Sequence, residues 1–486
     1  MSSMSSDKPN TEDLVQAPRA SPGAPGVAGS SGGQSGKGVP APGERPWSEP
    51  ATGRKDVKDT DIGSVFVSNY PPFSFWVPGQ LAAYDTAINA APTDGSALGM
   101  YLHIPFCRKR CKFCYFRVYT DKNSDEVQRY TDALVDELAL YADRAAIAGR
   151  TLRFVYFGGG TPSYISVRHL TELVQRLRSL KSWEDVEEVT FECEPGTLSY
   201  SKLEAIREIG VTRLSLGIEH FNDHILELNG RAHVSKEIHR VMPWIAEMGF
   251  DQVNIDLIAG MVGETWETWR ETVREAIEYA PDSVTVYQLE LPFNTRFTRQ
   301  YFEGRLVAPI ADWPTKRAWQ QYAWERLADA GYQVSSAYTM VKNPACAFGY
   351  RDSLWHGADM LGIGVSSFGY MSGVHVQNTA DWLRYLSDID KQRLPTQRAY
   401  ATSADERLTR EVILQLKTGS IKTAYFVDKF NVDVLERFRS AFSLLEKNEM
   451  LRIDGGQVEL TPQGLLQVDT LLHEFYASEH RNARYT

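Results

Sequence analysis

Six short runs rich in β-branched and aromatic residues recur from residue 99 onward, each separated from the next by a stretch with helical hydrophobic spacing. The candidate strands are 100–104, 153–157, 188–193, 213–218, 253–258 and 283–289, and the helices between them cover about 124–146, 167–179, 201–209, 236–248 and 265–279. In the first helix Val127, Tyr130, Leu134, Leu138 and Tyr141 fall at spacings of three and four, a stripe that must face a core. Strands joined by crossover helices pair in parallel. The pattern therefore predicts an α/β protein built on an open (β/α)6-type barrel, with its reactive groups gathered at the carboxyl ends of the strands.

The two ends of the 486-residue chain have a different texture. Residues 18–45 are mostly Gly, Ser, Pro and Ala with no aromatic, and cannot bury enough apolar surface to offset their ordering entropy. Residues 1–55 are therefore expected to be a disordered tail. Order is expected to begin near 64–76 (SVFVSNYPPFSFW), within an N-terminal lid or extension over 56–98. After about residue 400 the pattern becomes helices at 404–416 and 435–447, then strand, Gly455-Gly456 turn, strand and helix, the outline of a winged-helix-like domain over 400–486.

Charge and hydropathy exclude some functions. Lys and Arg number 52 against 62 Asp and Glu, a net charge of −10, so the chain lacks the cation excess of a nucleic-acid binder. No run of about 18 apolar residues is present to span a bilayer, and the first residues lack the basic-then-apolar order of a signal peptide. A cytoplasmic location is expected.

Three of the five cysteines, Cys107, Cys111 and Cys114, lie in YLHIPFCRKRCKFCYFR at C-x3-C-x2-C, directly after the first predicted strand. Thiols clustered in this way point to metal or redox chemistry rather than a disulfide framework. Three thiolates on one loop can each hold one iron of a 4Fe-4S cluster and leave the fourth iron open. In S-adenosylmethionine (SAM) chemistry that iron takes the cofactor's amino and carboxylate groups, and an electron from the cluster releases a 5′-deoxyadenosyl radical. The alternative left open by the residues is a Cys3His zinc site with His103 as the fourth ligand.

The cysteine loop after a strand resembles the radical SAM superfamily. With YLHIPFC, the later FGGGTP, FECEP, RLSLGIEHFN, NIDLIAG and LGIGVSSFGYMSGVHVQN are similar to the branch that contains oxygen-independent coproporphyrinogen III oxidase, from about Ser68 to the C-terminus. The resemblance implies a 4Fe-4S cluster on Cys107, Cys111 and Cys114 and SAM beside it. Gly158, Gly159, Gly160 and Thr161 match the stretch that meets the methionine part of SAM, and consecutive glycines suit a close backbone approach. Tyr101 matches a residue near the bound SAM and Phe113 one that packs on its adenine. Glu192, at a strand end, can accept from ribose hydroxyls or an ammonium and ranks above Glu194. Arg231 and Asp256 match SAM-contacting residues, and Glu219 stands where the oxidase has an amide. Within 301–399, the region expected to extend the barrel, residues 359–378 match a stretch lining a second SAM site, with Ser366 and Phe368 at it.

The chain departs from the oxidase pattern at four places. The pattern's further cysteine shortly after the third ligand is missing, since Cys114 is followed by Tyr115-Phe116-Arg117. No Arg precedes Tyr70-Pro71, where Phe66-Val67 stands instead; an aromatic-Gln pair becomes Gly349-Tyr350; and an Ala becomes Leu289. A missing Arg weakens the fit to a tetracarboxylate porphyrinogen. Three functions are compatible with the resemblance: an oxidoreductase that decarboxylates propionate side chains, a radical methyltransferase or cyclopropanating enzyme using two SAM, and a haem chaperone. The partners implied are a small-molecule substrate and a reducing donor such as flavodoxin or ferredoxin. His356 and His375 are further candidates for acid or base, while Cys193 and Cys346 read as isolated small apolar residues.

Overall fold

The computed structural model describes residues 64–93, 95–346 and 348–481; the expected tail over 1–55 lies outside them. Strands β1 (Leu98–Ile104), β2 (Phe154–Gly159), β3 (Glu188–Cys193), β4 (Arg213–Glu219), β5 (Gln252–Ala259) and β6 (Ser283–Gln288) pair in parallel in that order. Helices Ser124–Ala142, Val167–Leu180, Tyr200–Glu208, Ser235–Met248 and Trp266–Glu278 make the crossovers, so each expected repeat is present. The stripe Val127, Tyr130, Leu134, Leu138 and Tyr141 is buried.

The sheet extends beyond the six repeats on both sides. Past β6 lie the antiparallel β7 (Gln333–Val334) and β8 (Thr339–Val341), in the order β6-β8-β7. On the other side β9 (Asp359–Ile363) pairs parallel to β1 as a seventh parallel strand. β10 (Phe368–Met371), β11 (Val374–Asn378) and β12 (Thr396–Ala401) then continue antiparallel, completing a twelve-stranded sheet. The ends of β1 and β9 therefore share one rim.

The C-terminal part folds as expected in outline. Helix Ala404–Leu416 precedes a three-stranded sheet, β13 (Ser420–Lys422), β14 (Leu451–Asp454) and β15 (Gln457–Leu460), in the order β13-β15-β14. The helix expected over 435–447 is two helices, Val434–Arg437 and Arg439–Lys447, broken at Phe438, whose side chain turns into the core against Phe475. One hydrophobic core runs from Val67 to Tyr476, and the described residues belong to a single compact unit.

The parallel strands sort their side chains by face. Met100, Leu102, Val155, Phe157, Phe191, Leu214, Leu216 and Ile255 are buried toward the helices. The opposite face carries Tyr101, Tyr156, Glu192, Arg213, Ser215, Asn254, Asp256 and Thr285, a polar lining that a packed core would not tolerate without a use for it.

Candidate active site: a thiol loop and a chamber of buried carboxylates

The cysteine loop leaves the carboxyl end of β1 and is tied down at several points. Cys107 N–H donates to Tyr119 O at 3.0 Å, Lys112 N–H to Asn229 O at 3.0 Å and Cys114 N–H to Cys111 O at 3.2 Å. All three thiols are free and half-buried. The Thr161 hydroxyl reaches Cys107 Sγ at 3.4 Å and the Arg231 guanidinium reaches Cys111 Sγ at 3.4 Å. Burial pushes the Cys107 thiol up to about 12. A thiolate there needs a cationic partner.

Glu194 makes a connection that the sequence ranking missed. Its carboxylate accepts from Arg108, the residue after Cys107, at 3.1 and 3.2 Å, and from His233 at 2.9 Å. Burial alone would raise its pKa, but the hydrogen bond and charge of His233, with those of Arg108, outweigh it and hold the group at about 2. The signal was present in the adjacency of Arg108 to a thiol, yet its partner lies 86 residues away.

Beside the loop, the glycines end β2. Gly159 adopts φ +112° and a Cβ on it would strike the His103 ring; Gly160 lies against the backbone of Ile104, Pro105 and Phe106, where a Cβ would also clash. Glycine is required for this strand end to lie against the root of the cysteine loop. His103 is itself buried, with Nδ1 3.3 Å from the Tyr101 hydroxyl.

Glu192, Glu219 and Asp256 face one another across the polar side of the sheet. Glu192 accepts from the Tyr156 phenol at 2.6 Å and from Gly159 N–H at 3.2 Å. Asp256 accepts from Ser215 and Asn254, each at 2.9 Å. Glu219 sits at a bulge in the β4–β5 register with φ +66°, a conformation that a non-glycine residue holds only under constraint, and its carboxylate lies 3.4 Å from Arg231. Arg231 also donates to Gly217 O at 2.6 Å, while its Nε has no partner. Burial pushes Glu192 and Glu219 each up to about 7, and raises Asp256.

Tyr101 stacks on Tyr156 at 5.7 Å, and Tyr156 on Tyr350 at 4.3 Å. Tyr350, one of the departures from the oxidase pattern, thus lines the chamber. Tyr156 and Arg213 were not singled out in the sequence because an aromatic or Arg in a β-rich run reads first as strand. Phe113 packs on the apolar group of Ile258, Met261 and Leu291 at the rim. Across the rim, Ser366 is buried at φ +61° with an unpartnered hydroxyl, and Phe368 contacts Phe73 and Trp76, each at 5.6 Å between ring centroids. His375, wedged between Trp76 and Tyr370, is kept neutral by burial, and exposed Nδ1 of His356 bonds its own helix at Asp352 O; neither faces the chamber.

The arrangement suits the groups that the thiol loop implies. Three thiols on one loop match three irons, and three half-buried carboxylates with an excess of acceptors match a ligand rich in donors, an ammonium and ribose hydroxyls.

Comparison with known proteins agrees with this geometry. Residues 101–276 match the family model "Radical SAM superfamily" and residues 402–466 that of "HemN C-terminal domain". The chain is 26% identical to the oxygen-independent coproporphyrinogen III oxidase of Synechocystis sp., over 81% of this chain and 87% of that protein. It is 27% identical to the heme chaperone HemW of Bacillus subtilis, over 75% of this chain and 96% of that one. Its fold matches the structure of coproporphyrinogen III oxidase (HemN) from Escherichia coli with a TM-score of 0.74, at 24% identity, over 84% of this chain and 96% of that one. The superfamily implies a 4Fe-4S cluster and SAM, and no helix among the described residues is long and apolar enough to cross a membrane. Residues 101–276 thus match the radical SAM superfamily, and the chain as a whole is similar both to oxygen-independent coproporphyrinogen III oxidase and to the heme chaperone HemW.

Proposed function

We propose that the chain is a cytoplasmic radical SAM oxidoreductase of the coproporphyrinogen oxidase type, acting on propionate side chains of a porphyrinogen-like small molecule. The observation that carries this reading is the acceptor-rich group of Glu192, Glu219 and Asp256, joined to the three-thiol loop by Arg231, which reaches Cys111 Sγ and lies 3.4 Å from Glu219. The oxidase reading is preferred to the chaperone reading because residues 64–76 form a strap across the rim, bonded to Glu290 after β6 through Val65 and Phe66 N–H and packed on Phe368 through Phe73 and Trp76. A covered rim excludes water from a reactive site.

Cys107, Cys111 and Cys114 are the cluster ligands. Bound there, the cluster supplies the electron that cleaves SAM to a 5′-deoxyadenosyl radical. Arg231 offers its free Nε to the cofactor carboxylate, and Glu192 and Asp256 accept from its donors. Glu219 holds Arg231 in place. Gly158, Gly159, Gly160 and Thr161 line the methionine end, with Tyr101 and Phe113 as the apolar walls. Ser366 and Phe368 border a second cofactor site at the end of β9.

The test is anaerobic turnover of the reconstituted protein with SAM, a reductant and porphyrinogen, with the products quantified by mass spectrometry. Formation of 5′-deoxyadenosine with loss of CO2 from the porphyrinogen supports the reading. Co-formation of S-adenosylhomocysteine would replace it with a methyltransferase. Tight haem binding without SAM cleavage would replace it with a chaperone, a reading to which Phe66-Val67 in place of an Arg gives specific weight.

A further inference from the structure

The protein carries ten more acidic than basic residues, yet the surface around the cysteine loop is of the opposite sign. Residues 107–120 contain Arg108, Lys109, Arg110, Lys112 and Arg117 and no Asp or Glu. Residues 291–302 add Arg296 and Arg299, again with no acid. The fold joins these two segments: Phe297 N–H donates to Lys112 O at 3.1 Å and the Asn294 amide to Tyr115 O at 3.4 Å. The Lys112 ammonium consequently lies in the field of both Arg296 and Lys109.

Among the described residues Arg108 is the one cation of this set in an ion pair, with Glu194. Lys109, Arg110 and Lys112 donate to backbone carbonyls of Arg231, Cys114 and Leu228, and Lys112 also lies over the Phe297 ring, so no described carboxylate pairs with their charge. Among the same cations stand exposed aromatics: Tyr115 stacked on Phe116 at 4.4 Å, and Phe302, 66% exposed, stacked on Phe293 at 6.4 Å. Repelling cations kept together around exposed rings are unfavourable in the isolated protein, and are the composition of a docking surface whose centre is apolar and whose field is positive.

We propose that this face, the cysteine loop together with helix Arg296–Phe302, is where an acidic one-electron carrier protein docks. The inference rests on the proposed function, which needs an electron delivered to the group on Cys107, Cys111 and Cys114. Charge complementarity selects an acidic partner. The half-buried thiols lie on the loop that forms the surface, so a protein seated there is brought against that loop.

The test uses an acidic flavodoxin and an acidic 2Fe-2S ferredoxin as probes and measures their affinity for the cluster-loaded full chain across ionic strength. At least one is expected to bind, with affinity falling steeply as salt is raised. Arg296→Glu with Arg299→Glu is expected to weaken binding by more than about tenfold and to flatten the salt dependence, with iron content and SAM affinity unchanged. Phe302→Ser is expected to weaken binding without altering the salt slope. Failure of both probes to bind, or binding insensitive to the double variant, overturns the inference while dithionite-driven SAM cleavage still supports the proposed function. Absence of cluster or SAM cleavage in the wild type overturns the proposed function itself, and remains separate because docking is read by affinity.

Discussion

The Tyr156 phenol donates to the Glu192 carboxylate at 2.6 Å while its ring lies 4.3 Å from that of Tyr350. The carboxylate is held by a side chain that is itself clamped by stacking. Tyr156→Phe keeps the stack and removes the donor, so SAM affinity is expected to fall by about tenfold, the worth of one hydrogen bond to a charged group. Calorimetric titration checks this, with iron content as the control; unchanged affinity would show that Glu192 is positioned by Gly159 alone.

Binding of SAM should release protons near neutral pH. Burial raises Glu192 and Glu219 each to about 7 in the free protein, so both are largely protonated at pH 6. An ammonium and hydroxyl donors favour the ionised forms and pull both values down. Titration in buffers of different ionisation enthalpy is expected to show proton release at pH 6–7 that vanishes above about pH 8.5. The same raised values mean that the free protein loses stability as pH climbs from about 4.5 through 7, because the folded state binds more protons there than the unfolded chain.

Glu194 gives a signature of the opposite sign. Held at about 2 against burial by His233 and Arg108, its carboxylate stabilises the fold above about pH 4.5, and that contribution is lost as pH falls toward 2. Glu194→Gln is expected to cost about 2 kcal/mol at neutral pH, to remove this acid limb from the denaturation profile, and to lower iron uptake by freeing Arg108. Iron content equal to the wild type would show that the cysteine loop holds its shape without this anchor.

Behind the rim, the buried carboxylate of Glu137 accepts from Tyr385 and Asn378, each at 2.6 Å, and from Gly364 N–H at 2.8 Å, pinning the glycine-rich stretch after β9 to helix Ser124–Ala142. Glu137→Ala strands three buried donors and is expected to cost about 3–5 kcal/mol, read as a fall in denaturation midpoint. Glu137→Gln, which keeps one acceptor, should cost less.

The strands were legible because short runs rich in β-branched and aromatic residues recur six times between helical stretches; β3 has the expected bounds, and the ends of β1, β2, β4, β5 and β6 shift by one or two residues. β9 was not legible as a parallel strand: DMLGI carries no mark of its partner, which tertiary packing alone supplies. The thiols could be read from spacing. Arg108–Glu194–His233 could not, because the pairing joins three loops whose proximity depends on the sheet register.

The strap bonds Glu290 and His375, and Val67 and Tyr70 within it draw further partners from the far end of the chain. Val67 N–H donates to Asp469 and Val67 O accepts from Lys417, while the Tyr70 hydroxyl meets His480, contacts spanning 350 to 410 residues. Contacts of such separation cannot form until the late residues have been synthesised and packed. During synthesis the rim therefore stays open after the thiol loop, the glycine turn and the carboxylate strands have all emerged, which leaves an interval for cofactor loading before the N-terminal segment closes over it.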